Sequence, residues 1–148
     1  SNARFNTFIK YMNSVEIHKA LPFNQIPSLI SKFDLALLPI DFTKRGIRFA
    51  RFSISTKTSE YMISGVPIVL YAPKEVALTS YANINGTMCV ISKKSILELT
   101  STLIGLIDNE VLRESIALKA ISIARKESNG NQVRINFKNV LSKYSGRL

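Results

Sequence analysis

Four short runs, Val15–His18, Leu35–Pro39, Pro67–Tyr71 and Thr87–Ile91, constrain this chain more than any other feature. Each is four or five residues long and rich in Val, Ile or Leu, which suits strands better than helices. The later runs carry apolar residues at successive rather than alternating positions, so both faces of such a strand must be buried. That is the habit of a parallel sheet with helices on either side. The intervening segments supply those helices. Asn24–Phe33 places a capping Asn24, an early Pro27 and an apolar face of Ile26, Leu29, Ile30 and Phe33. Ser55–Ser64 ends at Gly65 with Pro67 beyond, the usual order of a helix stop. From Ser95 onward the apolar spacing is helical, first at Leu97, Leu99, Leu103, Leu106 and Ile107, then over 111–125 and 133–144. The expected fold is α/β, a three-layer sandwich with a mainly parallel sheet of about four strands and a helical C-terminal third that finishes covering the sheet. The stretch Asp41–Phe52 between the second run and the next helix reads as a long basic loop.

With 148 residues, 46% of them hydrophobic, and a mean hydropathy of +0.12, the chain suffices for one domain with one core. Ser1-Asn2-Ala3 reads as the remnant of a cleaved affinity tag, so native sequence is expected from Arg4. No apolar window approaches the roughly 18 residues a membrane-crossing helix needs. One cysteine, Cys89, and one histidine, His18, exclude an internal disulfide and make a zinc site a poor fit. Cys89, within an apolar run, reads as a small buried side chain in a reducing compartment. A formal charge of +10 draws phosphates of any origin, on nucleotides, nucleic acid or anionic lipid.

The segment Ser55-Thr56-Lys57-Thr58-Ser59-Glu60-Tyr61-Met62-Ile63-Ser64-Gly65-Val66-Pro67 narrows that choice. A hydroxyl-rich turn opens a helix, whose first amides and dipole favour an anion such as a diphosphate. Lys57, together with Lys44, Arg45, Arg48 and Arg51 upstream, deepens the positive potential. Glu60, about one turn further on, offers two oxygens to neighbouring sugar hydroxyls. Diphosphate followed by ribose is the order of parts in a nucleotide-sugar. In open parallel sheets ligands lie beyond the carboxyl ends of the strands, where the Asp41–Ser55 segment starts.

The same residues resemble the signature of the C-terminal, donor-binding domain of retaining glycosyltransferases of the two-Rossmann (GT-B) fold. Val15–Pro22 is similar to the strand and loop beside the base in that family, Ile26–Ile30 to the helix that follows, and Phe33–Pro39 to its next strand. The likeness runs from about residue 13 to the final helix at Phe137. It implies a Rossmann-like domain over 4–148 in which Glu60 holds the ribose, Ser55, Thr56 and Lys57 meet the diphosphate, and Ala20, Leu21 and Pro22 lie beside the base. Arg48 and Arg51 stand as phosphate-facing groups. The implied ligand is a UDP- or GDP-sugar, with no metal and no other cofactor; the catalytic residues are not assigned.

Two departures accompany the resemblance. Many relatives carry a second glutamate eight positions before the ribose-binding one, where this chain has Phe52. Relatives also begin the domain with a strand, a glycine-rich turn and a second strand that have no counterpart before Arg4. The domain is therefore expected to be partial and inactive alone, to need an N-terminal acceptor domain of the same protein, and to re-pair its sheet or dimerise. Relatives act in the cytoplasm, some at the inner face of the membrane, so an anionic membrane surface joins the expected partners. Two rival functions fit the same composition. A basic nucleic-acid-binding module requires aromatic side chains exposed among the cations, for which Phe42, Phe49 and Phe52 are the available set. A nucleotide-sugar epimerase would share the two-domain plan.

Overall fold

The computed structural model describes residues 20–127 and 129–145. Its centre is a parallel sheet of three strands, β1 (Ala36–Pro39), β2 (Ile68–Tyr71) and β3 (Cys89–Ile91), in the order β1-β2-β3. The fourth expected strand, Val15–His18, falls outside the described residues. Ala36 stands opposite Ile68 and Pro39 opposite Tyr71, while Val69 stands opposite Cys89. The register extends past the strand ends, where the Ile40 amide donates to the Tyr71 carbonyl at 2.9 Å and the Ala72 amide to Ile91 at 3.1 Å.

Around the sheet run a 3₁₀ turn (Phe23–Gln25) and seven α-helices among the described residues: α1 (Ile26–Ile30), α2 (Lys44–Ala50), α3 (Lys57–Ile63), α4 (Ala77–Asn85), α5 (Ile96–Ile107), α6 (Glu110–Glu127) and α7 (Gly130–Ser145). The period-two geometry of a strand divides the core in two. Ala36, Leu38, Ile68 and Leu70 face one layer, built from Met62 of α3, Leu78 and Ala82 of α4, and Ala120 and Ala124 of α6. Val69 and Ile91 face the other, against Leu106 of α5 and Ile116 of α6, with Leu99 and Leu103 at its margin. Ile68, Val69 and Leu70 are fully inaccessible, as the unbroken apolar run of β2 requires. Each such side chain contributes about 1.5–3 kcal/mol on burial.

Local chemistry accounts for the boundaries. α1 opens on Gln25 without a side-chain cap, because the expected cap, Asn24, is taken up in the 3₁₀ turn. α3 closes where the Ser64 hydroxyl donates to the Tyr61 carbonyl at 2.6 Å and Gly65 takes φ 78°, a left-handed value that only glycine adopts freely. Ser95 caps α5 by accepting from the Glu98 amide at 3.2 Å, and Asn129 caps α7 through Asn131 and Gln132. α4 lies between Pro73 and Gly86; the buried Thr79 hydroxyl donates to the Pro73 carbonyl at 2.8 Å and fixes the turn that precedes it.

Two expectations need correction. Residues 44–50 are not loop but helix α2: Thr43 accepts from the Gly46 amide at 3.1 Å, and Asp41 in turn accepts from the Thr43 amide at 2.9 Å and hydroxyl at 2.6 Å. The Asp41–Thr43 pair is a start signal that the density of Arg and Lys obscured. The C-terminal third also covers less of the sheet than its periodicity suggests. α5 and α6 pack on it, but α7 buries no residue at all.

Candidate functional site

The residues singled out by the sequence gather at the carboxyl end of β1 and along α3. β1 ends at Pro39, and the backbone then turns through Asp41 into α2, whose far end returns through Ser53 to the start of α3. These segments enclose an open crevice of about 420 Å³ lined by Pro39, Asp41, Phe49, Ser55 and Thr56, with Val76 and Leu78 from beyond β2 as its floor. Ser55 and Thr56 thus sit where a sheet of this kind presents a ligand, beyond the ends of its strands.

The helix start itself is partly occupied by its own turn. The Ser55 hydroxyl accepts from the Lys57 amide at 3.3 Å, and the Ser55 carbonyl from the Thr58 amide at 2.9 Å. Thr56 supplies no side-chain cap and is exposed, as is Lys57. Thr58 turns inward, with a buried hydroxyl that finds no partner among the described residues. An anion at this turn would therefore meet the exposed Thr56 and Lys57 first and displace the Ser55 hydroxyl to reach the amide it caps.

Glu60 lies four residues after Thr56, ~6 Å along the helix and on nearly the same face. It is partly exposed and lines a second cleft, of about 570 Å³, with Pro27 of α1, Ser59 and Ile63 of α3, and Ala124 and Arg125 of α6. The structure therefore brings Glu60 together with α1 and Arg125, and places Ser55 and Thr56 in a neighbouring crevice rather than the same one. The expected base loop Ala20–Pro22 is exposed. The Pro22 carbonyl accepts from the Gln25 amide at 2.9 Å, starting the 3₁₀ turn that leads into α1 and so to Pro27 at the rim of the Glu60 cleft.

The basic segment divides. Arg48 borders a shallow depression with Asp41, Arg45 and Phe49. Arg51 is exposed, its guanidinium 5.4 Å over the ring of Phe52. Phe52, at the position of the family's second glutamate, is 89% exposed, and Phe49 is 87% exposed. Phe42 instead packs on Tyr71, with ring centroids 4.8 Å apart. Two of the three aromatics that the nucleic-acid alternative requires on the surface are there.

Asp41 is the residue that sequence reasoning missed. Its carboxyl is held below the usual carboxylate range, first by the Thr43 hydroxyl and then by the Thr43 amide, which outweigh an opposing loss of solvation; attraction to Lys94 adds a lesser pull in the same direction. Its position directly after the strand end was the available signal. Cys89, expected to be buried, is half-buried, and burial pushes its thiol up. Met62 is a core residue at 2% exposure and Tyr61 packs beside that core. His18 falls outside the described residues. Among the described residues no three His, Cys, Asp or Glu side chains converge to hold a metal ion, and no helix is long and apolar enough to cross a membrane.

Neither the protein-family models nor the curated proteins contain a match to this chain.

Proposed function

We propose that the chain is a Rossmann-like donor-binding domain of a glycosyltransferase, which holds a UDP- or GDP-sugar while an acceptor domain of the same protein presents the group to be glycosylated. One observation carries this reading: the Ser55–Thr56 turn opens onto a crevice at the carboxyl end of β1, and Glu60 follows one helical turn later at the mouth of the adjoining cleft. The spacing suits a diphosphate at Thr56 and Lys57 with its pentose at Glu60. Glu60, as an acceptor of two hydroxyl hydrogens, would then fix the nucleotide, and the cleft beyond it toward Pro27 would take the base.

In such a site the chain's contribution to catalysis is electrostatic. As the bond from the sugar to the diphosphate breaks, negative charge grows on the leaving oxygens. Lys57 and the amides at the start of α3 stabilise that charge more than they stabilise the bound substrate, which lowers the barrier. Asp41, already engaged by Thr43, holds the wall of the crevice in shape.

A thermal-shift comparison of UDP, GDP, ADP and their sugars tests the reading. A ligand at about 100 times its Kd raises stability by about 2.7 kcal/mol, a shift of several degrees. The expected result is stabilisation by one nucleotide class that Glu60→Ala abolishes while the unliganded midpoint stays within about a degree. Equal shifts in the two proteins, or none with any nucleotide, would remove the basis of the assignment.

A further inference from the structure

The two clefts on either side of the Thr56–Glu60 turn differ in chemistry. The Glu60 cleft has a cation in its wall, Arg125. The crevice beyond β1 has one ionisable side chain in its lining, Asp41, and no cation. The rest of that lining is apolar or hydroxyl-bearing, from Phe49 and Leu78 to Ser53 and Thr56. An anionic wall without a counter-charge repels a diphosphate from the interior and leaves it at the rim, where Thr56 and Lys57 are exposed. An uncharged group with several hydroxyls meets no such penalty.

Asp41 is held in a state to receive one. Its Oδ1 accepts from the Thr43 amide at 2.9 Å and its Oδ2 from the Thr43 hydroxyl at 2.6 Å, the only donors it meets among the described residues. Each bond uses one lone pair, so each oxygen keeps another for a ligand. Arg45 and Arg48 border an adjoining depression on Asp41, and neither donates to its carboxyl. Thr43 also holds that carboxyl below the usual range, so at neutral pH both oxygens remain acceptors. Gly46 brings α2 against the same side chain: a Cβ there would stand 2.5 Å from the Asp41 Cβ and 2.7 Å from its Cγ. The carboxylate is thus confined between Thr43 and the helix backbone at the crevice wall.

We propose, building on the nucleotide reading above, that this crevice seats the transferred sugar as a neutral hexose, with Asp41 accepting from two neighbouring ring hydroxyls and Phe49 lying against the C–H face of the pyranose. Each part of the donor then has its own surface: the nucleoside in the Glu60 cleft, the diphosphate at the start of α3, and the sugar in the crevice. The Phe49 ring, 87% exposed, is free to take such a face. A few fixed polar groups on an apolar wall of about 420 Å³ is the usual make-up of a small-molecule site. A hexuronic acid is rejected by the same wall, because its carboxylate would enter beside Asp41 with no cation in the lining to offset the repulsion.

Calorimetric titration of the chain with matched ligands provides the test: UDP, UDP-glucose and UDP-glucuronic acid in one series, GDP, GDP-mannose and GDP-mannuronic acid in the other. In the series that binds, the neutral nucleotide-sugar should bind about tenfold more tightly than the uronic acid form. Asp41→Asn, which keeps an acceptor for the Thr43 amide, should weaken the neutral nucleotide-sugar about tenfold and narrow its advantage over the uronic acid. The same variant should leave the plain nucleotide within about twofold, whereas a carboxylate that only shaped the wall would affect both ligands alike. Phe49→Ala, which removes an exposed ring and so spares the core, should weaken the nucleotide-sugar about threefold with the plain nucleotide again unchanged. Parallel losses for nucleotide and nucleotide-sugar, no effect of either variant, or a uronic acid bound as tightly as the neutral sugar overturns the sugar assignment and leaves the nucleotide reading standing. Failure of every nucleotide to bind removes that reading and the sugar assignment together.

Discussion

The Tyr81 hydroxyl donates a 2.7 Å hydrogen bond to Oε2 of Glu127, closing a loop of 46 residues between α4 and the last turn of α6. Both helices flank the same face of the sheet, so this bond ties the outer ends of one layer above Leu70 and Ala120. Burial, and after it the hydrogen bond and charge of Glu127, push the Tyr81 phenol up to about 12 from an ordinary value of 10.0. The folded value lies above the unfolded one, so the stability from this contact is present below pH ~10 and lost as pH rises through ~12. Ultraviolet titration near 295 nm should show a late tyrosine ionisation near pH 12. Tyr81→Phe should delete that late step and cost ~1 kcal/mol at neutral pH. Retention of the late step in the variant would assign it to another tyrosine.

Gly46→Ala should be among the most damaging single changes on the surface of the protein. The added methyl would meet backbone and side-chain atoms of Asp41 at 2.5–2.7 Å, and the carbonyl oxygen among them cannot swing aside. The helix must shift or its Asp41–Thr43 start must open, at a cost of ~1–3 kcal/mol. Denaturant unfolding should therefore show a lowered midpoint. Gly105→Ala, where the new methyl meets nothing within 4 Å, should instead hold or raise the midpoint through better helix propensity. Equal effects of the two changes would contradict the packing seen around Asp41.

What the sequence disclosed and what it hid follow from the range of the interactions involved. β1, β2 and β3 were legible because an unbroken apolar run has few other uses at such short length, and the end of α3 was legible because Gly65 and Pro67 act locally. α2 was hidden by its own charge: Lys44, Arg45, Arg48 and Arg51 look like solvated loop until Asp41 and Thr43 are read as a cap. The site was only half legible. The order Ser55, Thr56, Lys57, Glu60 is plain in one dimension, but the separation of the first two from the last into adjoining clefts depends on α1, α2 and α6 packing around α3. No local pattern encodes that arrangement. The exposure of α7 was equally unreadable, because its stripe of Val133, Phe137, Val140, Leu141 and Tyr144 has the spacing of a buried helix.

Gly65 sets the angle between α3 and β2 and should tolerate substitution poorly for a different reason than Gly46. With φ at 78° and a prospective Cβ 3.4 Å from Ile121 Cδ1, the space is adequate and the backbone is the obstacle. Gly65→Ala should cost ~1–2 kcal/mol through left-handed strain. Gly65→Asn, a residue that visits this region more readily, should recover part of that loss. Thermal unfolding midpoints in the order glycine, asparagine, alanine would agree with the strain account, and alanine above asparagine would reverse it.

Deletion of α7 should cost the fold little. None of its residues is buried, whereas Leu106 of α5 is 2% exposed within the layer that packs on Val69 and Ile91. Hydrophobic stabilisation scales with area removed from water, so a helix that buries none of its side chains contributes on the order of 1 kcal/mol or less. For a domain of this size that corresponds to a few degrees in the unfolding midpoint. Leu106→Ala, by contrast, removes a core side chain and should cost ~2–5 kcal/mol. A chain ending at Asn129 should thus unfold close to the parent temperature, while Leu106→Ala unfolds well below it. If the shortened chain were the less stable of the two, α7 would have to make contacts in solution that its exposure here does not show, and the amphipathic stripe would be the place to look for them.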